Sequence, residues 1–391
     1  MLSSCLVLTV VASILAGPPA PRYSMFVFPP LEGAESAYPS ALRSDGTLVG
    51  SASPKPFHPQ SLAVMTSGDV LASLPSEFRA FNAALGTADS GLVVGIMGLA
   101  PASWSDGEGE LLAPIPGYFS GAAWDVNESG VIVGTHSNDL VGFDFSVYWP
   151  SSETGAIELP FVDSPSGAAF AINDAGAIAG ALSVEGALQA VRWDAPTLAP
   201  VVLPLAEGAN GGEALAINAL GDVAGRCMFP DFSSRAMVHW REENVTLSLG
   251  TLGGFGSEAR AVNASRQVVG LSATPGAMTG FLWADGTMRD LNDLVVHSND
   301  PSARVTLAAD IDDDGRIAAE VIIGGRSDGP RRIALLTPCR AADLDCNGIV
   351  DAGDLAILLG AWGECVGCSA DIDGDGTAGA PDLALLLGAW S

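Results

Sequence analysis

Apolar and polar positions along this chain fall into short runs that recur. The stretch Ala168 to Gly180, "AAFAINDAGAIAG", shows the unit: an apolar run to Ile172, a break at Asn173 to Gly176, and a second run closing on Gly180. A strand-like run, an Asn-x-x-Gly break that tolerates positive φ, and a second strand-like run predict a hairpin. Close copies are Ala122 to Gly134, Glu213 to Gly225 and Glu258 to Gly270; weaker ones are Ser40 to Gly50, Ala84 to Gly95 and Leu307 to Ala319. The turn position falls at Gly46, Gly91, Gly130, Gly176, Gly221, Arg266 and Gly315, at intervals of 45, 39, 46, 45, 45 and 49 residues. The chain therefore holds seven units.

A third apolar segment in the units closes on Trp104, Trp149, Trp193, Trp240 or Trp283, and a fourth ends on Leu74, Leu159 or Leu203, each followed by Pro. Four short strands in about 45 residues is the size of one propeller blade. The expected fold is all-β, a seven-bladed β-propeller over residues 23–338. The seventh unit stops after its third segment, Arg331 to Pro338, while Met25 to Leu31 reads as an orphan fourth strand. Pairing the two would close the ring and leave no open edge. In this scheme the repeated Trp packs between blades and the repeated Asn caps its hairpin through its side chain.

The last fifty residues follow another pattern: acids in alternation, then leucines at helical spacing, written twice. Asp343, Asp345 and Asn347 stand at positions 1, 3 and 5 of a twelve-residue loop, with Gly348 at 6, Ile349 at 7, Asp351 at 9 and Asp354 at 12. Asp371, Asp373 and Asp375 repeat this with Gly376, Thr377 and Asp382, and Gly379 leaves position 9 to water. Alternate oxygens converging around a sharp Gly turn suit Ca²⁺, which takes six to eight oxygen ligands, so two ions are expected. The predicted helices carry Leu355, Leu358, Leu359 and Trp362, then Leu383, Leu386, Leu387 and Trp390, at i, i+3, i+4 and i+7. The two stripes are expected to bury each other.

Composition agrees with a folded chain: 48% hydrophobic and 16% charged residues, with 47 Gly and 25 Pro for the turns. Seventeen basic against 45 acidic residues give a formal charge of −28, which argues against nucleic acid and anionic membrane surfaces as partners. Residues 1–20, with an apolar run from Leu6 to Ala16 and then small residues, have the shape of a secretory signal peptide. No later run is long enough to span a bilayer. Cys5 would leave with the signal. Cys339, Cys346, Cys365 and Cys368 are expected to form two disulfides, in any of three connectivities, with a zinc site as the alternative; Cys227 is expected as a buried free thiol.

The repeats carry no nucleophile elbow, no His-Glu-x-x-His and no phosphate loop, and the four His (His58, His136, His239, His297) lie at no ligand spacing. Asp310 to Gly315, "DIDDDG", opens like a calcium loop, but Val321 at position 12 supplies no carboxylate, and the stretch aligns with the repeat turn. It reads as an acid-rich hairpin.

The repeat phrase, especially Leu249 to Leu294, resembles the HAF repeat of bacterial extracellular proteins, which implies an extracellular location. Residues Ala341 to Ser391 resemble a type I dockerin, the module that docks a catalytic subunit onto a cohesin. The hydroxyl pair expected near positions 10 and 11 is replaced here by Ala352 and Gly353, and by Ala380 and Pro381. The resemblances imply a secreted or cell-surface bacterial protein, its propeller binding a polysaccharide or protein ligand, tethered through residues 339–391 to a cohesin-like or other extracellular partner. The alternative is an extracellular glycoside hydrolase carried by a dockerin, its catalytic carboxylates unassigned.

Overall fold

Each of the seven turn residues read from the repeat has left-handed backbone, with φ from 59° at Arg266 to 103° at Gly91. The computed structural model describes residues 20–391 apart from 56–59, 77, 79, 119, 139–142 and 327. The signal-peptide reading of 1–20 therefore falls, but for Ala20, outside the described residues, as do Cys5 and His58. The chain forms two compact units, one of Met25–Pro338 and one of Cys339–Ser391 with Met1–Ser24.

The first unit is a seven-bladed β-propeller. Six blades are four-stranded antiparallel sheets of consecutive strands, as in Gly167–Ile172, Ile178–Val184, Ala187–Trp193 and Val201–Val202. The seventh has the order Val295–Ser298, Tyr23–Val27, Arg331–Pro338, Ile317–Ile323, Ala303–Ile311. The N-terminal strand thus completes the last blade, as its orphan state in the sequence implied. The fifth strand, Val295–Ser298, and the one-turn helix before it, α1 (Leu291–Leu294), were not anticipated.

The innermost strand of every blade carries a bulge, which leaves one residue unpaired. The residues concerned are Ser40, Leu85, Trp124, Phe170, Leu215, Arg260 and Ala309, and all of them line one central channel. Opposite the bulge stands the Gly that closes six of the seven repeat phrases. A Cβ on Gly50, Gly95, Gly134, Gly225 or Gly270 would stand 2.0 Å from a carbonyl oxygen of the facing strand, and one on Gly180 2.2 Å from such an oxygen. Only a residue without a side chain fits there. Blade 7 has Ala319 instead, and its inner strand contains a second register shift, between Val305 and Leu307.

Cores form between blades, not within them. Trp149 packs with Val147 of its own blade and with Ala88, Val94 and Leu112 of the blade before; Trp193 packs likewise with Val133 and Leu159. Three of the five repeated indoles donate into the preceding blade, Trp104 to Pro75 O (2.7 Å), Trp149 to Ala113 O (2.9 Å) and Trp193 to Pro160 O (2.7 Å). Those carbonyls directly follow the Leu that ends the preceding blade, Leu74 partly buried and Leu112 and Leu159 fully so. At these three joints the Trp and the blade-ending Leu are thus two halves of one contact.

The repeated Asn does more than cap its own turn. Asn127 Oδ1 accepts from Val131 N (3.0 Å), and the corresponding oxygens of Asn173, Asn218 and Asn263 accept from Ala177, Asp222 and Gln267. The other end of each amide reaches into the next blade. Asn127 Nδ2 donates to Asn173 O (3.1 Å), Asn173 to Asn218 O (2.9 Å), Asn218 to Asn263 O (3.0 Å) and Asn263 to Asp312 O (3.0 Å). Charged groups continue the ring where the Asn is absent. Arg316 donates to Ser44 O, Arg43 to Thr87 Oγ1 (2.7 Å), and Glu128 accepts from Ser90 N (3.1 Å). The acid-rich Asp310 to Gly315 stretch is one of these turns, Asp312 accepting from Arg316 N (2.8 Å).

Candidate metal centre

In the second unit, loop 1 leads into α2 (Ala352–Gly360) and loop 2 into α3 (Ala380–Gly388). The two halves are joined reciprocally. Val350 of loop 1 pairs with Ser391, the residue after Trp390, and Ala378 of loop 2 pairs with Gly363, the residue after Trp362. Each loop therefore leans on the end of the other helix, the arrangement of a local twofold. Cys339 pairs with Cys346 and Cys365 with Cys368 as disulfides, which settles the connectivity and removes the zinc alternative. Both bridges are local, spanning 7 and 3 residues, so neither ties one half to the other. Arg22 fastens the start of loop 1 by donating to Leu344 O (2.7 Å).

The last acid of each loop is its frame. Asp354 is fully buried and accepts from Leu344 N (2.6 Å), Asp345 N (3.1 Å) and Asp351 N (2.8 Å). Asp382, equally buried, accepts from Ile372 N (2.7 Å), Asp373 N (3.1 Å) and Gly379 N (2.7 Å). Burial pushes the Asp382 carboxyl up, but the N–H groups of Gly379, Asp373 and Ile372 outweigh it and hold the group below the usual carboxylate range. These bonds bend each loop so that its alternate side chains converge. Gly348 and Gly376 make the sharp turn at φ 94° and 91° and donate to Asp343 Oδ2 (2.8 Å) and Asp371 Oδ2 (2.9 Å).

Carboxylate oxygens of Asp343, Asp345 and Asp354 lie within 4.8 Å of one another, as do those of Asp371, Asp373 and Asp375. The third member thus differs between loops. In loop 1 it is the position-12 acid, and in loop 2 the position-5 acid, with Asp382 outside the group. Asn347 and Asp351 are engaged locally, Asn347 Oδ1 accepting from Ile349 N (2.9 Å) and Asp351 Oδ1 capping α2 through Gly353 N (2.7 Å). Ile349 is exposed, and Thr377 donates its hydroxyl to Asp375 Oδ1 (2.6 Å). One atom gives an independent sign of a missing partner: Asp371 Oδ1 is buried and has none. Two groups of hard oxygen donors, one with an orphaned buried oxygen, fit a metal ion.

The helices depart from the expected mutual burial. Leu358 and Leu386 are fully buried in a small core with Leu344, Val350 and Ala378, and Leu355 and Leu383 pack at its edge. Leu359 and Trp362 are instead 52% and 50% exposed, and Leu387 and Trp390 52% and 45%. Two nine-residue helices form too little surface to cover the i+4 Leu and the i+7 Trp of each stripe.

Elsewhere, Cys227 is a buried free thiol as expected, pushed up by burial. His136 and His239 are buried in the propeller and His297 is exposed. His239 bonds to Thr246 Oγ1 (3.0 Å), while both ring nitrogens of His136 lack partners, its ring lying 5.4 Å from that of Trp149.

The fold and the loops together define a β-propeller protein with paired acid-rich loops that could hold metal ions. No family model and no curated protein matches the sequence. Solved structures do match. U3-55K does so over 82% of this chain and 100% of its own, at 12% identity and a TM-score of 0.50. An oligogalacturonate lyase in complex with manganese matches over 75% of this chain and 86% of its own, at 11% identity and 0.50. TolB from Acinetobacter baumannii matches over 75% of this chain at 13% identity and 0.43, and the match spans 64% of TolB's length. At these identities the likeness is one of fold alone. No helix among the described residues is long and apolar enough to cross a membrane, and the two disulfides fit an oxidising compartment.

Proposed function

We propose that this is a secreted, non-catalytic propeller that binds or displays a ligand, held to an extracellular or cell-surface partner by a calcium-dependent module of the dockerin type at residues 339–391. Two Ca²⁺ ions are held there, one in each loop. Asp343, Asp345 and Asp354 would serve the first, and Asp371, Asp373 and Asp375 the second. Asn347, Ile349, Asp351, Thr377 and Asp382 complete the loops as further ligands or as frame. Bound calcium supplies the positive charge that lets the acids of each loop lie together, since each like pair costs on the order of 1 kcal/mol even in water.

The observation that carries the docking part is the outward Leu and Trp at the end of each helix. Leu359, Trp362, Leu387 and Trp390 are each about half exposed at matching places in the two halves. Aromatic and aliphatic groups repeated on the outside of a small module suit a protein partner, Trp being the residue type most enriched in binding hot spots. Ala352, Gly353, Ala380 and Pro381 offer no hydroxyl, so the contact is apolar where a standard cohesin contact would be polar. The HAF-type reading of the repeats and the secreted location belong to the same proposal. They rest on the repeat phrase and on the disulfides.

The test is calorimetric titration of the full chain with Ca²⁺, then a calcium-dependent pull-down from the source cell's envelope and secretome. Two calcium sites and a partner lost from the Trp362→Ala/Trp390→Ala double variant are expected. A partner that binds equally in chelator, or equally to the double variant, would refute the docking reading.

A further inference from the structure

The central channel of the propeller encloses about 350 Å³, within the range of small-ligand sites. Its wall comes from the seven bulge residues and from those that follow them in sequence. At the bulge, blades 3 and 4 place Trp124 and Phe170, whose rings meet edge to face with centroids 5.8 Å apart. After the bulge, blades 1, 4, 5 and 6 have Ala, and blade 2 has Gly86. Blades 3 and 7 have Asp125 and Asp310.

Each of these two acids accepts a hydrogen bond from the next blade, Asp125 Oδ2 from Ile172 N (2.9 Å) and Asp310 Oδ2 from Leu42 N (2.8 Å). Each also accepts from the N–H that follows it, Val126 N and Ile311 N, both at 2.8 Å. A blade joint does not require this, because the other five joints are made without an acid at that position. Nor is either acid paired with a cation among the described residues. Arg260 lines the same channel but is bound to Glu258 (2.6 Å), which Arg226 also holds (2.9 Å). The channel therefore has two uncompensated carboxylates beside an aromatic wall.

Two carboxylates without a cationic partner disfavour an anion in this channel. Aromatic faces and carboxylates both attract a cation. A carboxylate oxygen already bonded to backbone N–H groups keeps a free lone pair, which suits a cation that donates hydrogen bonds. We propose that the channel is a binding site for a primary ammonium group on an apolar stem, the shared chemistry of an alkylamine and a lysine side chain. The ammonium lies toward Asp125 and Asp310, and the stem lies against Trp124 and Phe170. This deepens the reading of the propeller as a binding body and leaves the docking module untouched, so either can fail without the other.

The acids also provide a signature of binding. Burial pushes both Asp125 and Asp310 up to about 7, with nearby acids (Asp310 and Asp174 for the first, Asp312 for the second) acting in the same sense and the backbone N–H groups against it. A cation placed beside them draws them back toward the ionised form. Binding near pH 6.5 therefore releases protons, seen as a heat that changes with the ionisation enthalpy of the buffer.

The experiment titrates the full chain with n-pentylamine, with Nα-acetyl-lysine methylamide, and with 1-pentanol as the neutral isostere. Saturable binding of at least one amine is expected, with proton release and with 1-pentanol weaker by about tenfold or more. Which amine binds more tightly separates a free amine from a peptide side chain as the natural source. Asp125→Asn and Asp310→Asn should each weaken the amine about tenfold and reduce the proton release. If neither amine saturates by the order of 10 mM, or if 1-pentanol binds as well as the amines, the site is refuted. The comparison of ligands on the unaltered chain decides the matter even if the variants fold poorly.

Discussion

The propeller and the C-terminal module both repeat a short phrase, yet the repetition acts in opposite ways. Seven blades place their apolar surface between neighbours, so every joint is a core of its own, built from residues about 45 apart. The module has two copies and one small core, and the second Leu-Trp half of each helical stripe faces outward. Acids differ likewise. In the repeat turns of the propeller acids such as Asp312 and Asp313 accept from backbone N–H groups, while the loops of the module crowd three carboxylates within 4.8 Å. Many copies bury their apolar surface among themselves; two copies, on the calcium proposal above, would need an ion to hold their acids together.

The largest test of that contrast is removal of metal. Scanning calorimetry of the full chain in Ca²⁺ should show a transition for the module that is abolished by chelator, with the propeller transition unmoved. Loss of both transitions would mean that the two units do not differ in this way. Next is Trp193→Ala, which removes a fully buried indole and its bond to Pro160 and should cost the propeller about 3–5 kcal/mol in denaturant melts. The module's calcium heat should stay as it was. Separate from these is a pH effect in the propeller. Asp125 and Asp310 titrate near 7 when folded and near 3.8 when unfolded, so the folded chain holds protons that the unfolded chain has released. Their contribution to stability falls as pH rises from about 4 to about 7. His136, held down to about 4 by burial, acts in the opposite sense, its contribution falling as pH drops below about 6.5. The measure is therefore the difference between wild type and the Asp125→Asn/Asp310→Asn variant, which should lack the downward slope. The smallest effect is Cys365→Ser/Cys368→Ser. A bridge over 3 residues removes little chain entropy, so the module's calcium-bound melt should lose under about 2 kcal/mol.

Much of the propeller was legible because its repeat is local. An Asn-x-x-Gly break states a turn in four residues, and each turn residue took the backbone expected of it, Arg266 included. Closure by Tyr23–Val27 was legible from a strand missing at one end and left over at the other. The ring of Asn amides was not, because spacing shows that Asn127, Asn173, Asn218 and Asn263 recur and not that each amide reaches the next carbonyl. Nor were the bulges. The Gly that ends each phrase was visible, but its reason is a carbonyl 2.0 to 2.2 Å from an imagined Cβ, which belongs to the facing strand. In the module the acid spacing announced the clusters. The helical spacing misled, because it identifies one apolar stripe without saying how much surface is available to cover it. The added strand Val295–Ser298 had no periodic signal in the sequence, being four residues outside the repeat.

The ring of turn contacts has a grain. From blade 3 to blade 7 every pair of neighbouring turns is linked by a neutral amide, with Asp174 and Asp313 adding charged links at two of the joints. From blade 7 through blade 1 to blade 3 the links run through Arg316, Arg43, Asp89 and Glu128, charged and largely at the surface. Salt screens such links. The same sector holds the pairing of Tyr23–Val27 with Arg331–Pro338, the first and last strands of the propeller. A fold of seven like blades thus has one sector unlike the rest, where charged links lie beside the noncovalent strand pairing that closes the ring.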